Sequence, residues 1–140
     1  MALSGYLFDT SVIHRLAKPA VLQRVDDLGA GRPLYRCAIT DLEVLRSSTS
    51  PSDYEARRSA LISAYSELPI TPEVLSHALD TQRSMAAVSQ HRGISLADLI
   101  VAACAHVHDA VVVHYDADYD LIAGVTGQAT EWVVPAGSVD

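Results

Sequence analysis

Short apolar runs alternate with longer amphipathic stretches along the chain, and this alternation predicts strands separated by helices. The runs that predict strands lie at 5–9, 34–39, 110–114 and 130–134. Apolar residues at helical spacing predict helices at 11–17, 22–28, 40–47, 54–68, 73–92, 95–108 and 121–123. The run Val111-Val112-Val113 is typical of a strand buried on both faces. Together these elements favour an α/β fold with a mainly parallel sheet.

The composition favours one folded domain spanning 1–140. Hydrophobic residues make up 49% of the chain and charged residues 19%, which excludes a largely disordered protein and a coiled coil. No apolar window reaches the ~18 residues of a membrane span, and no basic residue precedes the first apolar run, so we expect a cytoplasmic protein without a signal peptide. Cys37 and Cys104 lie far apart without a CxxC motif, so we expect reduced core cysteines.

The net charge of −7 limits the kinds of partner that the chain can attract. Taken alone, it disfavours broad, passive binding of nucleic acid through a basic surface. It suits a cation or a basic protein as partner.

Four acids stand where a strand or loop gives way to a predicted helix: Asp9, Glu43, Asp98 and Asp116. Each of them alone is explained as a helix cap or as a carboxylate that the helix dipole favours. Thr40-x-x-Glu43 has the pattern of a capping box, and Ser95-x-x-Asp98 is close to one.

Their joint placement suggests a shared site. In a parallel α/β sheet the carboxyl ends of the strands form the ligand-binding edge. Asp9, Glu43 and Asp116 should lie at that edge. Asp98 begins a helix that can bring it to the same place. Converging carboxylates repel one another unless a cation joins them. Because all these donors are oxygen atoms, Mg²⁺ or Mn²⁺ is favoured over Zn²⁺.

The segments that carry these acids follow one another in a recognisable order: Leu7-Phe8-Asp9-Thr10-Ser11, Ile39-Thr40-x-x-Glu43-Val44-Leu45, Ser95-Leu96-Ala97-Asp98-Leu99 and His114-Tyr115-Asp116-Ala117-Asp118-Tyr119. In that order they resemble a PIN-domain ribonuclease, and more narrowly a VapC-type toxin of a bacterial toxin–antitoxin pair. The resemblance covers nearly the whole chain. Its most specific part is the Asp98 helix, followed eighteen residues later by the motif that begins at Asp116.

The resemblance implies a PIN-like three-layer α/β/α fold and a metal-dependent endoribonuclease. It assigns metal binding and catalysis to Asp9, Glu43, Asp98 and Asp116, with Asp118 as a further metal ligand. Thr10 and Ser11 match the small hydroxyl residues beside the first acid, with Ser11 favoured as the functional hydroxyl, whereas His114 departs from the Thr of many relatives. Water activated by Mg²⁺ or Mn²⁺ would cleave structured RNA, such as tRNA or rRNA, and leave 5′-phosphate and 3′-hydroxyl ends.

The resemblance also implies partners: a VapB-type antitoxin, an RNA substrate and a second copy of the chain in a homodimer, with no membrane. Apolar positions in the predicted helices 54–68 and 73–92 suit either an antitoxin groove or the core. Arg15, Lys18 and Arg46 are candidates for contacts to RNA phosphates, although a solvated surface charge is the stronger explanation for each of them. The alternative function is a catalytically inactive PIN-like module that binds a protein partner.

Overall fold

A parallel sheet forms the centre of the molecule. The structure, a computed structural model, describes residues 3–140. Within this range the strands are β1 (Tyr6–Phe8), β2 (Leu34–Arg36), β3 (Ser66–Glu67), β4 (Val111–His114) and β5 (Thr130–Trp132). They form one sheet in the order β3-β2-β1-β4-β5, and all pairings between neighbours are parallel.

Helices connect the strands, and three of them begin at a proline. Within residues 3–140 they are α1 (Thr10–Ile13), α2 (Pro19–Gly29), α3 (Ala38–Arg46), α4 (Pro51–Ala64), α5 (Pro72–Ala87), α6 (Leu96–Val107) and α7 (Asp118–Thr126). Proline suits the first helical position because its nitrogen has no hydrogen to leave unbonded there. The helix predicted at 11–17 is a single turn, Thr10–Ile13, and Lys18, whose backbone is extended because it precedes Pro19, separates it from α2.

The two faces of the sheet bury two separate apolar clusters. Adjacent residues of a strand point to opposite faces, so Leu7 and Val112 join one cluster, while Phe8 and Val113 join the other. The first cluster packs against α5, α6 and α7 through residues such as Met85. The second packs against α1, α2, α3 and α4. The predicted three-layer α/β/α fold with a central parallel sheet is therefore confirmed.

The segment after β2 differs from the sequence prediction. The strand ends at Arg36 and α3 begins at Ala38, so Thr40 is the third helical residue rather than its cap. Thr40 Oγ1 accepts a hydrogen bond from the backbone N–H of Cys37 at 3.1 Å. The predicted Thr40–Glu43 capping box is thus wrong, and Glu43 lies in the second turn of α3. The prediction of free, buried thiols is confirmed for both cysteines.

The order of the strands places the ends of β1 and β4 side by side. The chain runs outward from β1 to β2 and β3, and then returns to the other side of β1 with β4. This reversal creates a crevice at the carboxyl edge, the usual ligand-binding place in such sheets. Asp9 follows β1 there, and its N–H donates to the carbonyl of Val113 at 3.0 Å. A search of the helices within residues 3–140 finds none with the length and apolar character of a bilayer span.

Candidate active site

All the acids predicted to act together line one open cleft at the carboxyl edge of the sheet. The cleft has a volume of about 410 Å³, and the acids that line it are Asp9, Glu43, Asp98, Asp116 and Asp118. Asp9 follows β1, Glu43 lies in α3, Asp98 lies in α6, Asp116 lies between β4 and α7, and Asp118 is the first residue of α7. The structure therefore brings together residues that lie up to 109 positions apart along the chain, counted from Asp9 to Asp118.

Asp9 is the helix cap of α1 as well as a wall of the cleft. Its Oδ2 accepts hydrogen bonds from the backbone N–H of Ser11 at 3.0 Å and from the Ser11 hydroxyl at 2.5 Å. The same hydroxyl accepts a hydrogen bond from the N–H of Tyr115 at 2.9 Å. Ser11 therefore ties the end of β1 to the end of β4 and fixes one side of the Asp9 carboxylate.

Glu43 reaches the cleft from α3 and is held by a hydroxyl on α1. Thr10 Oγ1 donates to Glu43 Oε1 at 3.1 Å. Thr10 is buried, whereas Glu43 is exposed. The two small hydroxyl residues after Asp9 thus have different partners, since Ser11 orients the first acid and Thr10 orients the second.

Asp98, Asp116 and Asp118 form the tightest group of the cleft. Each offers one carboxylate oxygen, and these oxygens lie within 4.8 Å of one another. Ser95 Oγ caps α6 by accepting from the N–H of Asp98 at 3.0 Å, as the near capping box predicts. Asp116 Oδ1 accepts from the N–H of Asp118 at 2.9 Å. This spacing suits a metal ion that takes oxygen ligands.

The crowding of carboxylates is costly for their ionised forms. The pKa of Asp98 rises from 3.8 to about 7, first because the residue is buried and then because Asp9 and Asp116 repel its negative charge. Burial and Asp116 also raise the pKa of Asp118. A cation in the cleft relieves both effects, because it replaces lost hydration and cancels the repulsion.

The hydroxyl of Tyr119 contacts two acids of the cleft, which the sequence did not predict. This hydroxyl lies 2.7 Å from Asp9 Oδ1 and 3.2 Å from Asp98 Oδ1, and the residue has no exposed surface. The ring is packed, as expected for an aromatic residue, but its tip faces two acids. The only signal in the sequence is a tyrosine three residues after Asp116, in the first turn of α7, and this does not reveal its partners.

His114 has a clear structural role despite its departure from the family pattern. Its Nδ1 accepts a hydrogen bond from the N–H of Asp116 at 3.2 Å. The imidazole is fully buried, and burial lowers its pKa. Because Nδ1 accepts this hydrogen bond, the ring carries its hydrogen on Nε2. Among residues 3–140 this Nε2 has no hydrogen-bond partner. The ring stacks on Tyr119 with the centroids 4.9 Å apart.

Of the three cationic candidates for RNA contacts, only Arg15 lines the cleft. Its guanidinium lies 4.7 Å from the centre of the Tyr115 ring and donates to the carbonyl of Ser11 at 2.8 Å. It also donates to the carbonyl of Asp140 at 2.9 Å. Lys18 and Arg46 lie outside the lining of the cleft.

Comparison with known proteins agrees with this geometry. Residues 6–125 match the PIN domain family. The chain is 46% identical to Ribonuclease VapC51 of Mycobacterium tuberculosis (strain ATCC 25618 / H37Rv) over 140 residues, which cover 100% of both chains. The chain belongs to the PIN domain family. Within that family it is of the VapC type.

Solved structures show the same fold. A DNA-bound VapBC from Salmonella typhimurium superposes with a TM-score of 0.76 at 18% identity, over 96% of this chain and 100% of that chain. VapBC-5 from Mycobacterium tuberculosis, a member of the VapBC family of toxin–antitoxin systems, superposes with a TM-score of 0.65 at 18% identity, over 92% of this chain and 98% of that chain. At this level of identity the likeness concerns the PIN fold.

Proposed function

We propose that the protein is the toxin of a type II toxin–antitoxin pair and acts as a divalent-metal-dependent endoribonuclease. The observation that carries this proposal is the convergence of five carboxylates in one cleft, three of them with oxygens within 4.8 Å. A full-length relative at 46% identity is named a ribonuclease, which supports RNA as the substrate class. The cytoplasm is the compartment where such an enzyme meets tRNA and rRNA.

The cleft fits a divalent cation by the chemistry of its donors. Asp98, Asp116 and Asp118 supply the central oxygens, and Asp9 and Glu43 complete the wall. An all-oxygen set suits Mg²⁺ or Mn²⁺. Burial and repulsion from Asp9 and Asp116 raise the pKa of Asp98, and a cation bound among these carboxylates would offset both effects.

The chain's own residues prepare the cleft for phosphodiester hydrolysis. When bound, the cation supplies positive charge to the phosphate and makes water at the site more acidic. The Ser11 hydroxyl is committed to Asp9 and Tyr115, so the cleft leaves the attack on phosphorus to water. Cleavage on the 3′-oxygen side of phosphorus gives the 5′-phosphate and 3′-hydroxyl ends. Arg15 on the rim is placed to meet a substrate phosphate.

A second feature supports a VapB-type antitoxin as partner. An apolar groove of about 390 Å³ runs between α1 and α4, and its lining includes Leu16, Leu61 and Tyr65. His14 lines both this groove and the acidic cleft, so the two adjoin at this residue. An extended or helical segment in the groove can therefore deliver a basic side chain to the acids, which the net charge of −7 favours.

A separate apolar groove suits the expected homodimer. It lies between α5 and α6, and Leu75, Leu79 and Leu96 are exposed there. The predicted helix 73–92 therefore faces this second groove, whereas the predicted helix 54–68 faces the first.

The function is tested by cleavage of tRNA and rRNA with Mg²⁺ or Mn²⁺, with and without a chelator. Asp9→Asn and Asp98→Asn should abolish cleavage, while the matched control Asp27→Asn, on an exposed position of α2, should keep it. The downstream RNA fragments should ligate directly to an adaptor, because their new ends carry a 5′-phosphate. Cleavage that survives the chelator, or full activity in both acid variants, would refute the chemistry. A folded wild type that binds an antitoxin and cleaves no RNA would instead indicate the inactive binding module.

A further inference from the structure

We propose that Tyr119 is a positioning residue that holds the carboxylates of Asp9 and Asp98 in the orientation that a divalent cation needs. This inference rests on the proposed function, because it concerns the same cleft. The inference adds Tyr119, which is not an acid, to the residues of the cleft. It is based on the contacts that the buried Tyr119 hydroxyl makes with Asp9 and Asp98.

The hydroxyl of Tyr119 contacts two acids that come from different elements. Asp9 follows β1 and Asp98 lies in the first turn of α6, so no local backbone geometry sets their relative position. The single hydroxyl lies 2.7 Å from one carboxylate and 3.2 Å from the other. The Tyr119 oxygen therefore lies between the carboxylates of Asp9 and Asp98 and sets their separation.

The hydroxyl is held in place because its ring is buried and packed. Tyr119 has no exposed surface and belongs to the apolar cluster under α5, α6 and α7. Its ring stacks on His114, and the His114 imidazole in turn accepts the N–H of Asp116. The stacked pair of His114 and Tyr119 thus anchors three acids of the cleft, two through the hydroxyl and one through the imidazole.

The hydroxyl contacts one oxygen of each carboxylate, Oδ1 of Asp9 and Oδ1 of Asp98. Tyr119 takes Asp9 Oδ1, and Ser11 takes Asp9 Oδ2 from the direction of α1. A phenylalanine keeps the ring and its packing but removes the hydroxyl that bridges Asp9 and Asp98. Partners that orient metal ligands typically contribute about 10–100-fold to metal affinity.

The decisive experiment compares wild type, Tyr119→Phe and the control Tyr35→Phe by calorimetric titration with Mn²⁺ at pH 8. Tyr35 is a half-buried tyrosine on β2 outside the cleft. We expect Tyr119→Phe to weaken Mn²⁺ binding by at least about tenfold, and Tyr35→Phe to leave it unchanged. In cleavage assays at saturating Mn²⁺, Tyr119→Phe should recover much of the wild-type rate, because the defect lies in holding the ligands.

Equal Mn²⁺ affinity in wild type and Tyr119→Phe would overturn the positioning role while leaving the nuclease proposal intact. A wild type that binds no Mn²⁺ in the cleft would refute the proposed function itself, so the two failures are distinguishable. If Tyr119→Phe does not fold, NMR of the wild type with ¹³C-labelled tyrosine decides. A slowly exchanging phenolic proton should be visible and should shift on addition of Mg²⁺. A tyrosine hydroxyl spectrum that Mg²⁺ leaves unchanged would overturn the proposal.

Discussion

Lowering the pH should release a divalent cation from the acidic cleft, because Asp98 binds a proton near neutral pH. Its pKa is about 7 in the metal-free protein, as a result of burial and of repulsion from Asp9 and Asp116. Below this pH a cation must displace the proton, so its apparent affinity should fall about tenfold per pH unit. From pH 7, where half of the Asp98 groups already carry the proton, to pH 5.5, the loss should be roughly 16-fold.

The same shift predicts the sign of the stability change. The folded protein binds the Asp98 proton more tightly than the unfolded chain, whose pKa stays near 3.8. The contribution of Asp98 to the stability of the metal-free protein should therefore be greatest at low pH. It should decline as the pH rises from about 4 to about 7. The full decline is at most about 4 kcal/mol. Asp98→Asn should remove it and should make the metal-free protein more stable at pH 8.

The assay is calorimetric titration with Mn²⁺ in two buffers that differ in ionisation enthalpy. At pH 6 the wild type should release about one proton for each cation bound, and at pH 8 it should release few. Asp98→Asn serves as the control, since it cannot release that proton. A wild-type affinity that stays constant between pH 5.5 and pH 8 would refute the argument, because it would show that the cation and the Asp98 proton do not compete.

Three further changes test other parts of the structure. Ser11→Ala removes the hydroxyl that joins β1 to β4, so it should lower the free energy of unfolding in urea by about 1–2 kcal/mol and should lower the rate of RNA cleavage. The control Ser63→Ala, at an exposed position of α4, should change neither quantity. Leu79→Glu should give a monomer in light scattering and Leu22→Glu should not; a dimer that survives Leu79→Glu would exclude the α5–α6 groove as the interface. Phe8→Leu should lower the free energy of unfolding by about 1–2 kcal/mol, and a thermal melt identical to wild type would contradict its place in the core.

The acids could be predicted from the sequence because their placement follows from topology. In a parallel sheet every strand ends at the same edge, so Asp9 and Asp116 had to meet once β1 and β4 were neighbours. Asp98 was predicted for a related reason, since Ser95 marks the start of α6 clearly. The strand β3 escaped prediction because it consists of two exposed polar residues, Ser66 and Glu67, which show no apolar alternation.

Side-chain partners between elements could not be predicted. The contact of Tyr119 with two acids depends on how α7 packs against α6, and a buried aromatic residue looks the same in the sequence with or without such a contact. The start of α3 was misplaced for a local reason, because Thr40 has the chemistry of a cap but lies at the third helical position, where it bonds back to Cys37.

The first acid of the cleft lies within two residues of the core on both sides of the sheet. Leu7 and Phe8 are fully buried in opposite apolar clusters, and Asp9 follows without an intervening loop. A genetic selection for chains that no longer poison their host should therefore recover substitutions at Leu7 and Phe8 beside those at the acids. In such a selection, substitutions in the core and substitutions in the cleft would inactivate the protein in the same way.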